Sequence, residues 1–296
     1  MSDRIPLHPD LLAGKVKHLM AAYPPLSCHT LGESLLGRRI PLLCLGAGKG
    51  RLLYVGAHHG AEWLTATLLL RFIEELARAY LSGARPYGLD LDLLLSVRTL
   101  CFVPMLNPDG VAIALGDRDD PLFECRRRTV PNGDFSRWQA NARGVDLNHN
   151  YRVGFAEYKR MEAALGITGC APTRYSGERP ESEPECAAMA AYIRRTVPRL
   201  VLSLHTQGEE IYWRGGGVAL PGARAMAGRM AALSGYRVAE PCGAAAYGGL
   251  CDYTTAGLGI PSFTLECGLG ENPLPPENAD GIYARLRRLL FESITM

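Results

Sequence analysis

The stretch GAHHGAEW (56–63) sets His59 three residues ahead of Glu62, directly after the apolar run LLYV. On the first turn of a helix, side chains at i and i+3 project from one side, here toward the end of the preceding strand. Two donors on one rigid turn, joined by a third from a distant strand, form a common catalytic zinc arrangement that leaves the fourth position to water. His58 competes for the ligand role, but it stands i, i+4 from Glu62 and would point along the strand toward the other face. The best third donor is His205, on which the apolar run RLVLSLH (199–205) ends. Glu266, within IPSFTLECG (260–268), is the candidate general base. A carboxylate there can take a proton from an attacking water and pass it to a leaving nitrogen. Each feature also has a plain structural reading: a capped helix start, an edge histidine, and a strand-end glutamate paired to an arginine. His8, His18 and His29 fall in the polar N-terminal segment and read as surface residues.

The elements that must position these side chains alternate in type. RIPLLCLG (39–46), RLLYVGA (51–57), SVRTLCFVPML (96–106), RLVLSLH and IPSFTLECG read as strands, with GAGKG as a hairpin-type turn and NPDG (107–110) as a turn. Residues 63–81, 181–197, 221–235 and 279–293 carry helical spacing, and Gly235 closes the third of these. Such alternation predicts an α/β sheet covered on both faces, in which ligands sit beyond the carboxyl ends of strands. HHGAE, NPDG, His205 and Glu266 all fall at such ends.

The chain has 296 residues, no repeats and no linker long enough to divide it, so one domain over 1–296 is expected, with 1–30 as a helical lead-in. A net charge of +2 gives no sign of a dedicated nucleic-acid binder, and the Arg126-Arg127-Arg128 run reads as a solvated loop. No signal peptide and no apolar stretch long enough for a membrane span is read, so a cytoplasmic location is expected. Nine cysteines, scattered singly without a CxxC pair, fit reduced thiols rather than a disulfide framework.

Five blocks in order resemble the zinc metallocarboxypeptidase family: GAHHGAEW, NPDG, GVDLNHNY (144–151), SLHT (203–206) and FTLE (263–266). The resemblance runs from GESLLGRRIPLLCLG (32–46) to ENPLP (271–275). It implies one α/β domain on a twisted mixed sheet of about eight strands, flanked by helices on both faces. It further implies one zinc ion held by His59, Glu62 and His205, Glu266 as general base, and Asn148 on a substrate carboxylate. His149 stands where digestive members of the family carry an arginine that anchors the substrate's terminal carboxylate. An imidazole makes at most one such bond and is charged only part of the time. The transition-state arginine has no clear counterpart: Gln139 falls at its place, with Arg143 or Arg137 as substitutes and Arg143 the better placed. Tyr247 offers itself as the substrate-covering tyrosine, at a spacing shorter than the family pattern.

SRWQANARGVDLNHNY (136–151), SLHTQGEEIYW (203–213) and IPSFTLECGLGENPLP (260–275) resemble bacterial γ-D-glutamyl-meso-diaminopimelate peptidases. The function implied is hydrolysis of that amide in peptidoglycan stem peptides, with a peptide or muropeptide as partner. The rival readings are release of ordinary C-terminal residues, an aspartoacylase-like deacylase, and a binding module that keeps only the fold.

Overall fold

Runs that are apolar at every position become the middle of the sheet, because both faces of their strands are covered. The computed structural model describes residues 5–296. Its strands are β1 (Leu26–Glu33), β2 (Arg39–Leu45), β3 (Gly50–Val55), β4 (Arg98–Val103), β5 (Leu200–His205), β6 (Glu210–Tyr212), β7 (Arg237–Ala239) and β8 (Ser262–Glu266). They form one eight-stranded mixed sheet in the order β1-β2-β4-β3-β5-β8-β6-β7. β4, β3, β5 and β8 run parallel, while β2 and β6 pair antiparallel at either side of this block. The helices are α1 (Pro9–Ala22), α2 (Leu64–Leu81), α3 (Leu91–Val97), α4 (Pro108–Ala114), α5 (Phe123–Arg127), α6 (Phe155–Ala164), α7 (Pro184–Thr196), α8 (Ala223–Ser234), α9 (Leu250–Leu258) and α10 (Ala279–Glu292). No helix among the described residues is long and apolar enough to cross a membrane.

The two-residue period of the strands sorts the core into layers. Leu52, Tyr54, Leu100, Phe102, Leu202 and Phe263 pack on one face with α1, α2, α3, α8 and α10. Leu53, Val55, Cys101, Val103 and Val201 face the other way, onto α7 and α9. Phe72 of α2 lies at the centre of the first layer, with ring centroids 5.7 Å from Tyr54, 5.8 Å from Phe102 and 5.3 Å from Phe291. With both faces packed, the carboxyl ends of the parallel strands are the open edge at which a site can form.

Several sequence expectations are corrected. β2 and β3 do not form a hairpin, because β4 lies between them. The connecting loop instead crosses the start of β4, where Ala47 and Gly48 donate to Leu95 O and Arg98 O. A Cβ on Gly48 would lie 1.8 Å from the Val97 carbonyl carbon, so only glycine makes that crossing. The run at 96–106 is divided: α3 extends to Val97, and the strand covers Arg98–Val103. NPDG is a helix start rather than a free turn, with the Asn107 side chain accepting from Gly110 N at 2.8 Å. β1 begins within the lead-in at Leu26, and β6 and β7 were not foreseen. Arg126 is wholly buried, ion-paired to Asp120 and bonded to Ala142 O at 2.9 Å, whereas Arg127 and Arg128 are exposed. His18 and His29 are exposed, and His8 is half-buried against Asp117.

The α7 start gives a stability prediction. Glu185 is fully buried, accepts from Leu35 N at 3.1 Å, and has its pKa pushed up by burial from 4.5 to about 7, with Asp109 and Glu183 adding to the shift. A carboxyl whose folded pKa exceeds its unfolded value contributes stability that is full below the unfolded value and lost as pH rises through the folded one. The wild type should therefore lose about 3 kcal/mol between pH 5 and pH 8 from this group. Glu185→Gln should remove that loss, as read from urea unfolding at both pH values. An equal difference between variant and wild type at the two pH values would refute the assignment.

Candidate metal centre and active site

Four strand ends meet at one edge. After β3 the chain passes through Gly56 and Ala57 into the turn Gly60–Glu62 that precedes α2. That turn is held from three directions. Ala57 N donates to Thr65 Oγ1 at 2.8 Å, the Asn107 amide donates to His58 O at 3.0 Å, and Gly60 N donates to Gln139 O at 3.0 Å. The packing is so close that a Cβ on Gly60 would lie 2.2 Å from Gly110 O. Asn107, from the NPDG block, is thus a buried stitch between the HHGAE turn and the segment around Trp138.

The ligand atoms of His59, Glu62 and His205 all lie within 4.8 Å of one another. His59 Nδ1 is 2.8 Å from Glu62 Oε1, and His205 Nδ1 is 3.0 Å from Glu62 Oε2. β5 pairs with β8 so that His205 stands directly opposite Glu266, which puts the fourth group beside the cluster. Two imidazoles and one carboxylate are a donor set that zinc accepts, and imidazole ligands commonly carry an outer partner that fixes their orientation. Asp146 is placed as such a partner, its Oδ1 3.2 Å from His59 Nε2 and its Oδ2 accepting from Arg174 N at 2.9 Å. The residues fit a zinc ion.

The electrostatics of the cluster follow from burial and mutual charge. Burial alone would lower the His59 pKa, but the carboxylates of Glu62 and Asp146 outweigh it and hold the ring well above its usual value. Glu62 and Asp146 are held low in turn, because the imidazoles beside them outweigh the burial that would raise them. Glu266 is pushed well above the usual carboxylate range by burial and by the Glu62 charge. A divalent cation at the cluster acts against that last shift, as the largest local charge in such a site.

His58 lies outside the cluster. It is fully buried, stacked on His205 with ring centroids 5.3 Å apart, and bonded to Tyr151 OH at 3.2 Å and Ser203 Oγ at 3.4 Å. Burial, and next the neighbouring His205, push its pKa well down, so it supports His205 as a neutral ring.

A cavity of about 160 Å³ opens on the cluster and is lined by His59, Glu62, His205 and Glu266, and also by Asn148 and His149. Asn148 uses its Oδ1 to accept from Leu250 N at 3.1 Å. His149 lies flat on Tyr158, with centroids 3.8 Å apart, and its Nδ1 is 2.9 Å from Tyr247 O; burial lowers its pKa. The other expected groups are not brought into the wall. Arg143 is exposed and pairs with Glu183 at 3.4 Å. Arg137 pairs with Glu271 at 2.5 Å beside Asn272, which is itself bonded to Thr206. Gln139 accepts from Thr173 Oγ1 at 2.5 Å. Tyr247 is half-buried in the loop above His149. The cavity adds Tyr212, Arg214 and Asp252, to which the sequence alone assigns no role. Burial pushes the Asp252 carboxyl up to about 6, against bonds from the backbone N–H groups of Gly249 and Gly216.

The zinc carboxypeptidase (Peptidase M14) family model matches residues 14–280. The chain belongs to this family. A γ-D-glutamyl-L-diamino acid endopeptidase from Lysinibacillus sphaericus is 33% identical over 279 residues, which is 92% of this chain and 68% of that protein. The fold of the zinc carboxypeptidases recurs in the crystal structure of carboxypeptidase A from Helicoverpa armigera. Its TM-score is 0.75 at 19% identity, covering 99% of this chain and 75% of that one. The murein-tripeptide amidase of Escherichia coli O157 matches with a TM-score of 0.54 at 19% identity, covering 93% of this chain and 95% of that one. A metallopeptidase of the zinc carboxypeptidase family is therefore the class to which this hydrolase is assigned, and its eight-stranded sheet is the expected fold.

Proposed function

We propose that this metallopeptidase hydrolyses the γ-D-Glu–diaminopimelate amide of peptidoglycan stem peptides at a single zinc ion held by His59, Glu62 and His205. The convergence of those three side chains beside Glu266 carries the hydrolytic part of the reading. Kinship with the Lysinibacillus endopeptidase supports the choice of amide. His149, a neutral imidazole where an arginine would grip an ordinary C-terminal carboxylate, argues against plain carboxypeptidase action. The scatter of nine single cysteines without a CxxC pair is the ground for a reducing, cytoplasmic setting.

Zinc bound there would lower the pKa of a water toward about 7 and polarise the substrate carbonyl. The chain's own residues do the rest. Asp146 holds the His59 ring in place through Nε2, and His58 backs the His205 ring. Glu266 accepts a proton from the attacking water and delivers it to the departing amine nitrogen. Asn148 and His149 line the cavity where the substrate's polar groups must lie. Assaying a stem tripeptide beside hippuryl dipeptides tests the choice of substrate. Turnover of the tripeptide is expected; cleavage of the dipeptides alone would sink the proposal.

A further inference from the structure

The cavity is lopsided in charge. Its walls carry the carboxylates of Glu62, Glu266 and Asp252, of which Glu62 would be offset by the zinc ion it helps to hold. His149 faces them as a ring whose pKa burial pushes down. Arg214 is the one lysine or arginine among the described residues that line the cavity. It stands two residues after the end of β6, and the turn it opens is fixed at two points. Cys251 Sγ donates to Arg214 O at 3.7 Å, and Gly216 N donates to Asp252 Oδ1 at 2.5 Å, tying this turn to the start of α9. The guanidinium bonds Glu240 through Nη1 and Gly217 O through Nη2, both at 3.0 Å. Those two bonds use only part of its donor fork. Glu240 is 52% exposed, so the ion pair is solvent-screened and holds the guanidinium only weakly. Turned from Glu240 and Gly217 into the cavity that Arg214 lines, the guanidinium would offer a substrate carboxylate a planar, permanently charged fork suited to it.

We propose that Arg214 is the carboxylate anchor of this site and selects substrates with a free carboxylate close to the scissile amide. The inference rests on the substrate reading above, since each residue flanking the γ-D-Glu–diaminopimelate amide carries carboxylates. Among the described cavity residues, no other side chain with a permanent positive charge is available to offset them.

Zinc-loaded wild type, Arg214→Ala and Arg214→Lys are to be assayed on a stem tripeptide and on analogues amidated at the D-Glu α-carboxylate or at a diaminopimelate carboxylate. Arg214→Ala should raise KM for the free acid by about tenfold to a hundredfold, with kcat within about threefold of wild type. On the analogue lacking the anchored carboxylate, wild type and Arg214→Ala should have equal KM. Arg214→Lys should fall between them, because an ammonium supplies charge without the fork. Equal penalties on the free acid and on every amidated analogue, or no penalty on any, would overturn the anchor. If the wild type leaves the tripeptide intact, the substrate reading fails on its own. The same comparison on a hippuryl dipeptide and its C-terminal amide then tests Arg214 separately. Zinc content and urea midpoint equal to wild type establish that each variant is folded.

Discussion

Glu266→Gln is expected to lower kcat by about a hundredfold to ten-thousandfold while zinc content stays at the wild-type level. The substitution keeps the shape of the side chain and its place opposite His205 in the β5–β8 register. It removes only the capacity to accept a proton from water and hand it to a leaving nitrogen. No bond of Glu266 to His59, Glu62 or His205 is needed to hold the cluster, whose contacts run through Glu62. Zinc measured by atomic absorption, alongside kcat on the same sample, separates the two effects. Wild-type turnover in the variant would remove Glu266 from the mechanism, and loss of zinc would make it a structural partner of the cluster.

His59→Ala and His205→Ala are expected to strip zinc from the protein and abolish turnover, whereas His58→Ala should retain the metal. The adjacent histidines differ because the extended backbone sends their rings to different surroundings. His59 faces Glu62 and Asp146 across the site, while His58 is sealed between Tyr151, Ser203 and the back of His205. Removing a ligand leaves too few donors for a tetrahedral site. Removing His58 leaves all of them, at the expense of a void behind His205. Zinc stoichiometry after dialysis decides the matter; a zinc-free His58→Ala with a loaded His59→Ala would reverse the ligand choice. Chelator treatment of the wild type should abolish turnover, and added zinc should restore it.

The legible parts of the fold were those whose pattern depends on local burial. β5 is mostly apolar, both strands are buried along nearly their whole length because both faces are covered, and they deliver His205 and Glu266 to the same edge. The edge strands were hidden: β6 and β7 have three residues each, and β1 mixes polar with apolar side chains. Asp146 sat in a block noted for its resemblance, but its role depends on His59, which reaches it only once the chain has folded. The signal that could have found it is a carboxylate two residues before Asn148 in the GVDLN block, since ring nitrogens turned away from a metal commonly take a partner. Arg214 was masked by a glycine-rich stretch that reads as loop, and its relevance comes only from facing a cavity walled by carboxylates. Arg126 was misread for the opposite reason. A run of three arginines suggests solvent, and only the folded chain brings Asp120 and the Ala142 carbonyl to bury one of them.

Digestion of a defined stem tetrapeptide, L-Ala–γ-D-Glu–diaminopimelate–D-Ala, by the zinc-loaded protein, with mass detection of products, tests the proposed reaction most directly. Cleavage at the γ-D-Glu–diaminopimelate amide releases L-Ala–D-Glu and diaminopimelate–D-Ala, which is the expected pair. Release of free D-alanine with an intact tripeptide, or an undigested tetrapeptide, would contradict the proposal.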